Sequence, residues 1–372
     1  MSDVITQGST QMLDALREAK RPAYVCTIAS SETAAIEGLS IAGASAEMRR
    51  YTPPADMECL FYGRARSIPG IAATPDGIPS PVIITMAALG LTKLPVFVVD
   101  AGCEVPPQTP YFRVGDRPAD SILSGRSVAN AAELYERGWH LGEQLAKVTD
   151  YLLLAESVPA GTTTALAVML ALGLDAHGKV SSTMIGGANE LKRQTVESAF
   201  KAADIQPGSL ASDPIKAIEL VGDPMQPVVA GMALAASREV PVMLAGGTQM
   251  AAVAAVIAAL RAADPNVADT AGADRLCIGT TRWILDDTTA DLVDLARQVG
   301  DMPVYAADLD FGKARYPGMH PYQAGLVKEG VGAGGSAIAA LSYGGVSKAA
   351  LMERIEGVYA ETVLPMLAGD VT

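Results

Sequence analysis

The chain has 372 residues, of which 49% are hydrophobic and only 5% aromatic, and it carries a formal net charge of −13. That charge excludes nucleic acid as the main partner, since a phosphate backbone demands clustered Lys and Arg, but it leaves room for a small anion held locally at a helix start. Four scattered cysteines without a CxxC and three scattered histidines exclude a zinc site by spacing and fit free thiols in a reducing cytoplasm.

The opening stretch "MSDVITQGSTQMLDALREAK" is polar and amphipathic and does not read as a secretory leader. Strands are expected at 23–29 ("AYVCTIA"), 58–63 ("ECLFYG"), 95–102, 151–157, 240–246, 275–281 and 303–309. The Pro- and Gly-rich segment 50–81 is expected to wrap the surface. Helical patterns follow in "SVANAAELYERGWHLGEQLAKV", "TTTALAVMLALG", "NELKRQTVESAFKAA", "MQPVVAGMALAAS", "TQMAAVAAVIAALRAA", "TTADLVDLARQV" and "SKAALMERIEGVYAETVLPMLA". The most apolar of these fall short of the ~20 residues that span a bilayer, so no membrane partner is expected and a cytoplasmic location is.

Short apolar runs alternating with longer helical patterns predict a doubly wound α/β fold: a mostly parallel sheet with helices on both faces. A single domain over 1–372 is expected, with a small lobe built from about 1–50 and 346–372. In such sheets ligands sit beyond the carboxyl ends of the strands.

Three stretches put polar chemistry at those ends. In "YLLLAESVPAGTTTALAVMLALG" a buried strand ends in Glu156, a tight turn follows, and Gly161, Thr162, Thr163 and Thr164 open a helix. N–H groups, hydroxyls and a positive helix end converge there, which suits a phosphate, although a capped helix without ligand has the same sequence. "LAGGTQMAAVAA" repeats the layout with Gly246 and Gly247. "KEGVGAGGSAIAALSYGG" sets a single carboxylate, Glu329, at the entrance of a glycine run that includes Gly330 and Gly332, just before a helix. Glycine permits close backbone approach, so something is expected to come near that acid.

Two other motifs point elsewhere. Gly330, Gly332 and Gly335 satisfy GxGxxG, but the preceding "HPYQAGLVKE" is no strand and no βαβ unit has room to follow. Asp286 and Asp287 in "RWILDDTTADL" resemble the two-acid signature of magnesium- and phosphoribosyl-pyrophosphate-dependent transferases, yet the glycine-rich cradle is missing. Capping of a helix explains Asp287 equally well.

Taken together, these residues resemble the nicotinate-nucleotide–dimethylbenzimidazole phosphoribosyltransferase family of the cobalamin lower-ligand pathway. "GWHLGEQLAKVTDYLLLAESVPAGTTTA" is similar to the family's strand, Glu and turn; "GGANELKRQTVESA" to its basic helix, with Lys at Lys192; and "LVKEGVGAGGSAIAAL" to its Gly-Glu-Gly segment. The resemblance covers about 95 to 345. The phosphate turn is a residue longer here, with Thr in place of the family's Asn, and the stretch after Asp100 cannot be aligned, which marks a divergent branch.

The resemblance implies transfer of phosphoribose from nicotinate mononucleotide to a benzimidazole- or purine-like aromatic base, by a homodimer without cofactor or metal. It implies Glu329 as general base, Glu156 as a second carboxylate, and Gly161, Thr162, Thr163, Thr164 and Lys192 around the 5′-phosphate. Gly246, Gly247, Gly330 and Gly332 then give close backbone approach. The pyridinium ring leaves without a general acid, so one carboxylate in an apolar pocket suffices. Lys328, next to Glu329, is expected to face solvent. The alternatives are a non-catalytic nucleotide sensor on the same fold and the magnesium-dependent transferase.

Overall fold

Every residue of β5 (Tyr151–Ser157) is buried, and its side chains alternate between two separate cores. Leu152 and Leu154 join one cluster, Leu153 and Ala155 the other. A strand covered on both faces reads as a continuous apolar run, which is why β5 is visible in the sequence. The computed structural model describes residues 3–43, 45–74, 76–182, 188–264, 267 and 272–369.

The other strands are β1 (Val4–Gln7), β2 (Pro22–Ala29), β3 (Val96–Gly102), β4 (Phe112–Arg113), β6 (Val242–Ala245), β7 (Leu276–Thr281) and β8 (Val304–Ala307). They form one sheet in the order β1-β8-β7-β6-β5-β2-β3-β4, in which only β1 is antiparallel to its neighbour. The chain winds outward from β2 to β3 and β4, then restarts at β5 and winds the other way. The order therefore reverses between β2 and β5, where Thr27 pairs with Glu156. Helices cover both faces, as the doubly wound expectation requires. At the chain ends, β1 extends the sheet beside β8, and the Lys348–Leu367 helix packs on the Val82–Thr92 helix.

The strand expected at 58–63 does not exist. Thr52–Tyr62 is a helix, with Pro53 and Pro54 in its first turn, where a missing N–H is harmless. It is mostly buried rather than wrapped over the surface, and Glu58 is tolerated inside because its carboxylate accepts N–H bonds from Arg66, Ser67 and Gln108. Among the described residues no helix is long and apolar enough to cross a membrane.

Candidate functional site

Glu329 sits on a loop whose neighbours Val327 (φ 62°) and Val331 (φ 54°) hold left-handed backbone, a conformation strained for β-branched residues. The strain is held by tertiary bonds. The Val331 N–H donates to the Glu156 carbonyl at 2.9 Å, and the Val331 carbonyl accepts from the Tyr24 and Thr85 hydroxyls at 2.6 and 2.8 Å. The end of β5 is thereby tied to the Glu329 loop.

The Glu329 carboxylate lies across the N-terminus of the Ala333–Ser342 helix. It accepts the N–H of Gly334 at 3.2 Å, of Gly330 at 3.1 Å, and of Thr281 at the end of β7 at 2.8 Å. Burial pushes its pKa up to about 7 against these bonds, which pull the other way. Glu156 is 3% exposed, and burial pushes it up to about 8, with Asp223 and Glu329 adding repulsion. Its Oε2 accepts from Gln249 Nε2 at 2.7 Å and from the Val158 N–H at 3.0 Å.

The glycines let the helix start approach the sheet. A Cβ on Gly334 would lie 1.9 Å from the Thr280 carbonyl carbon, and one on Gly335 would lie 2.4 Å from Ala245 Cβ. Gly247 faces Glu329, since its Cβ would fall 3.6 Å from Glu329 Cγ. Gly161 makes way for the Gln249 side chain as it crosses to Glu156.

Two adjoining cavities meet at these carboxylates. Glu156 and Glu329 line both, as do Thr162, Gln249 and Val327. The smaller adds Ser181, Ser182, Gly247, Thr248 and Lys328; the larger is mostly apolar and adds Asp56, Ser80 and Ser157. Glu156, Gly247 and Glu329, far apart in sequence, thus line one space at the carboxyl ends of the strands.

Of the three threonines, Thr162 lines both of these cavities and its two neighbours line neither. Thr163 is fully buried, its N–H donates to the Ala160 carbonyl, and its hydroxyl has no partner among the described residues. Thr164 turns inward to bond Asp223. Lys192 is likewise buried and donates to the Ser181 carbonyl at 2.5 Å. Burial, helped by repulsion from Lys328 and opposed by Asp287, lowers its pKa to about 7.

Lys328 does not face solvent. Adjacent side chains do point apart, but the far side is also interior, where Asp287 lies 2.9 Å from its ammonium and both side chains are about 5% exposed or less. Its charge is thus matched by Asp287 and not by Glu329. Burial pushes the Asp287 carboxyl up, but bonds from Thr289, Lys328 and Ser181 outweigh this and hold it below its ordinary value. Asp287 does not cap a helix: the Leu292–Gln298 helix is capped by Asp291, while Asp287 closes a turn onto Thr289. Asp286 pairs with Arg282. The two acids are committed to different cations, so they form no free pair for a magnesium ion.

The site also holds Gln249, Asp56, Ser80, Ser157 and Thr281, which sequence reasoning passed over. Gln249 had one signal, a polar side chain two positions after the Gly246-Gly247 pair at a helix start; the others had none.

Glu156 also predicts a pH effect. Unfolded, its carboxyl ionises near 4.5; folded, near 8. Between these values the folded state holds the extra proton, so stability falls as pH rises from about 4.5 to about 8. Glu156→Gln removes that charge while keeping shape. Its melting temperature is expected to exceed the parent's by several degrees at pH 8 and to converge with it near pH 4. A parent curve that is flat or rising over this window contradicts the burial assigned to Glu156.

No protein-family model matches the chain. A UPF0284 protein of Methanothermobacter thermautotrophicus is 43% identical over 338 residues, covering 90% of this chain and 91% of the relative. UPF0284 proteins of Archaeoglobus fulgidus (43%, 92% of this chain and 95% of the relative) and Gloeobacter violaceus (44%, 86% and 83%) are similar too. Among solved structures, CobT from Thermus thermophilus shares the fold with a TM-score of 0.58 at 19% identity, covering 93% of this chain and 88% of that one. A structure named nicotinate-nucleotide-dimethylbenzimidazole phosphoribosyltransferase, from the same organism, matches with a TM-score of 0.57, covering 93% and 87%. The fold expected from the sequence resemblance is therefore present, and the chain itself belongs to the UPF0284 protein family.

Proposed function

We propose that the protein is a phosphoribosyltransferase that moves the phosphoribosyl group of nicotinate mononucleotide onto a ring nitrogen of an aromatic base, as cobalamin lower-ligand nucleotides require. One observation carries this reading: the two cavities meet at Glu156 and Glu329, so a group bridging them passes both carboxylates. The name of a solved neighbour of the same fold supports it.

The smaller cavity suits the 5′-phosphate. Thr162, Ser181, Ser182 and Lys328 line it beside the start of the Thr248–Ala263 helix, with the Ser181 hydroxyl held by Asp287 and Lys192 behind Ser181. The larger, apolar cavity suits flat rings. In the reaction the C1′–N bond to the pyridinium breaks, and its electron pair stays on the ring nitrogen, so nicotinate leaves without a proton. A lone pair of the acceptor ring forms the new C1′–N bond, and the acceptor's N–H proton passes to Glu329. A carboxyl poised near pH 7 both takes and releases that proton readily at neutral pH. Glu156, held largely as the neutral acid at that pH, acts as a hydrogen-bond donor that positions the ribose rather than as a counter-charge.

Calorimetric titration with nicotinate mononucleotide tests the phosphate site. Binding is expected, and Thr162→Val is expected to weaken it by about 1.5 kcal/mol, the scale of a hydrogen bond to a charged group. Thr163→Val, at a hydroxyl outside the cavity, is expected to change affinity little. Equal effects of the two variants would move the phosphate elsewhere, and no binding to the parent would remove the reading.

A further inference from the structure

The larger cavity carries a polar patch that phosphoribosyl transfer does not use. Thr52 and Asp56 stand four residues apart on the Thr52–Tyr62 helix, hence on one face of it, and both line the cavity. Asp56 is 1% exposed. Its Oδ1 accepts from the Ser80 hydroxyl and its Oδ2 from the Ser157 hydroxyl, each at 2.8 Å. Thr52 is 7% exposed, and its buried hydroxyl has no hydrogen-bond partner among the described residues. The rest of the wall is largely apolar, with Leu39, Ile41, Ala72, Ile78, Pro79 and Pro81.

Asp56 alone has a structural explanation: it ties the end of β5 to the segment around Ser80. That role leaves the Thr52 hydroxyl unexplained. A buried polar group without a partner is uncommon, and one that lines a ligand-sized cavity is satisfied when a ligand supplies the partner. The pair offers a carboxylate that accepts and, one helical turn away, a hydroxyl that donates. The complementary edge places an N–H donor beside a ring-nitrogen acceptor.

We propose that this cavity is the acceptor-base pocket and that it selects an aminopurine-type base, with Thr52 and Asp56 reading the aminopyrimidine edge while the imidazole edge faces Glu329. The inference rests on the transfer reading above for the role of Glu329. A dimethylated benzo edge offers neither donor nor acceptor. Seated there, it would leave Thr52 unpaired and press hydrocarbon on a buried carboxylate. Sites built to hydrogen-bond a ligand reject analogues that lack the partner far more strongly than apolar sites reject a size change.

The test measures equilibrium binding of adenine, unsubstituted purine and 5,6-dimethylbenzimidazole, and separately the nicotinate released when each is supplied with nicotinate mononucleotide. The parent is expected to bind adenine about tenfold or more tightly than either analogue. Thr52→Val, a near-isostere, and Asp56→Asn should each reduce that preference by about tenfold while leaving dimethylbenzimidazole binding close to the parent's. If Asp56→Asn does not fold, Thr52→Val and the adenine–purine comparison on the parent still decide. Preference for dimethylbenzimidazole, a ratio unmoved by Thr52→Val, or no binding of any base overturns the pocket assignment. Adenine preference without nicotinate release keeps the pocket and removes the transfer reading. Nicotinate release with dimethylbenzimidazole preferred does the reverse.

Discussion

Glu329→Gln is expected to leave nicotinate mononucleotide bound and to lower turnover by ~10²–10⁴-fold, the usual worth of general-base catalysis. The substitution keeps the length of the side chain and a carbonyl that can still accept the Thr281 and Gly334 N–H groups. What it removes is the proton acceptor. Two signatures separate this from a structural loss. The parent's kcat/KM should climb with pH through about 7 as Glu329 ionises, whereas the variant's should stay flat there. The loss should also shrink for an N-methylated acceptor, which has no ring proton to give up. A variant that turns over at the parental rate with a protonated acceptor would show that Glu329 is not the base.

Gly334→Ala is expected to destabilise the protein by about 3 kcal/mol or more and to abolish activity. Overpacking a core typically costs about 1–3 kcal/mol when side chains can shift. Here the new Cβ would meet backbone, 1.9 Å from the Thr280 carbonyl carbon and 2.3 Å from the Thr281 nitrogen. Main chain within a central strand cannot step aside, so the helix start must back away from β7. Gly334 then leaves Glu329, and Glu329 leaves Thr281. Gly90→Ala is the control: it lies within the Val82–Thr92 helix with open space around its Cβ position. That change should raise stability by about 0.5–1 kcal/mol and spare activity. Chemical denaturation measures both, and a Gly334→Ala protein of parental stability would contradict the tight approach.

The sequence revealed those parts of the fold where burial and local pattern agree. β2, β3 and β5 to β8 lie inside the sheet and appear as apolar runs. β1 is a short edge strand with polar Thr6 and Gln7, and β4 is two exposed residues, so neither leaves a pattern. The Val82–Thr92 helix escaped notice because most of its first eight residues are buried; apolar all round and rich in β-branched residues at its start, it shows no helical period. "ECLFYG" reads as a strand only when the proline pair before it is ignored.

The site divides in the same way. Glu156, Gly247 and Glu329 announce themselves because acids and glycines at strand ends are locally unusual. Thr163 and Thr164 look like ligands from their place at a helix start, and Lys192 from the family resemblance, yet the helix rotation that brings Thr162 to the cavity turns its two neighbours inward, and Lys192 is buried too. Asp56 and Thr52 are ordinary residues on an unremarked helix. Only the tertiary path, which lays that helix beside the ends of β2 and β5, gives them a role.

In the proposed reaction, bonds at C1′ are exchanged between two ring nitrogens at Glu329. Incubating the protein with nicotinate mononucleotide and a panel of purine and benzimidazole bases, and following free nicotinate alongside the new ribosylated base by mass, tests it most directly. Nicotinate appearing in equimolar amount with a base mononucleotide, dependent on the base and lost in Glu329→Gln, is the predicted result. A protein that binds the mononucleotide and releases no nicotinate with any base would contradict it.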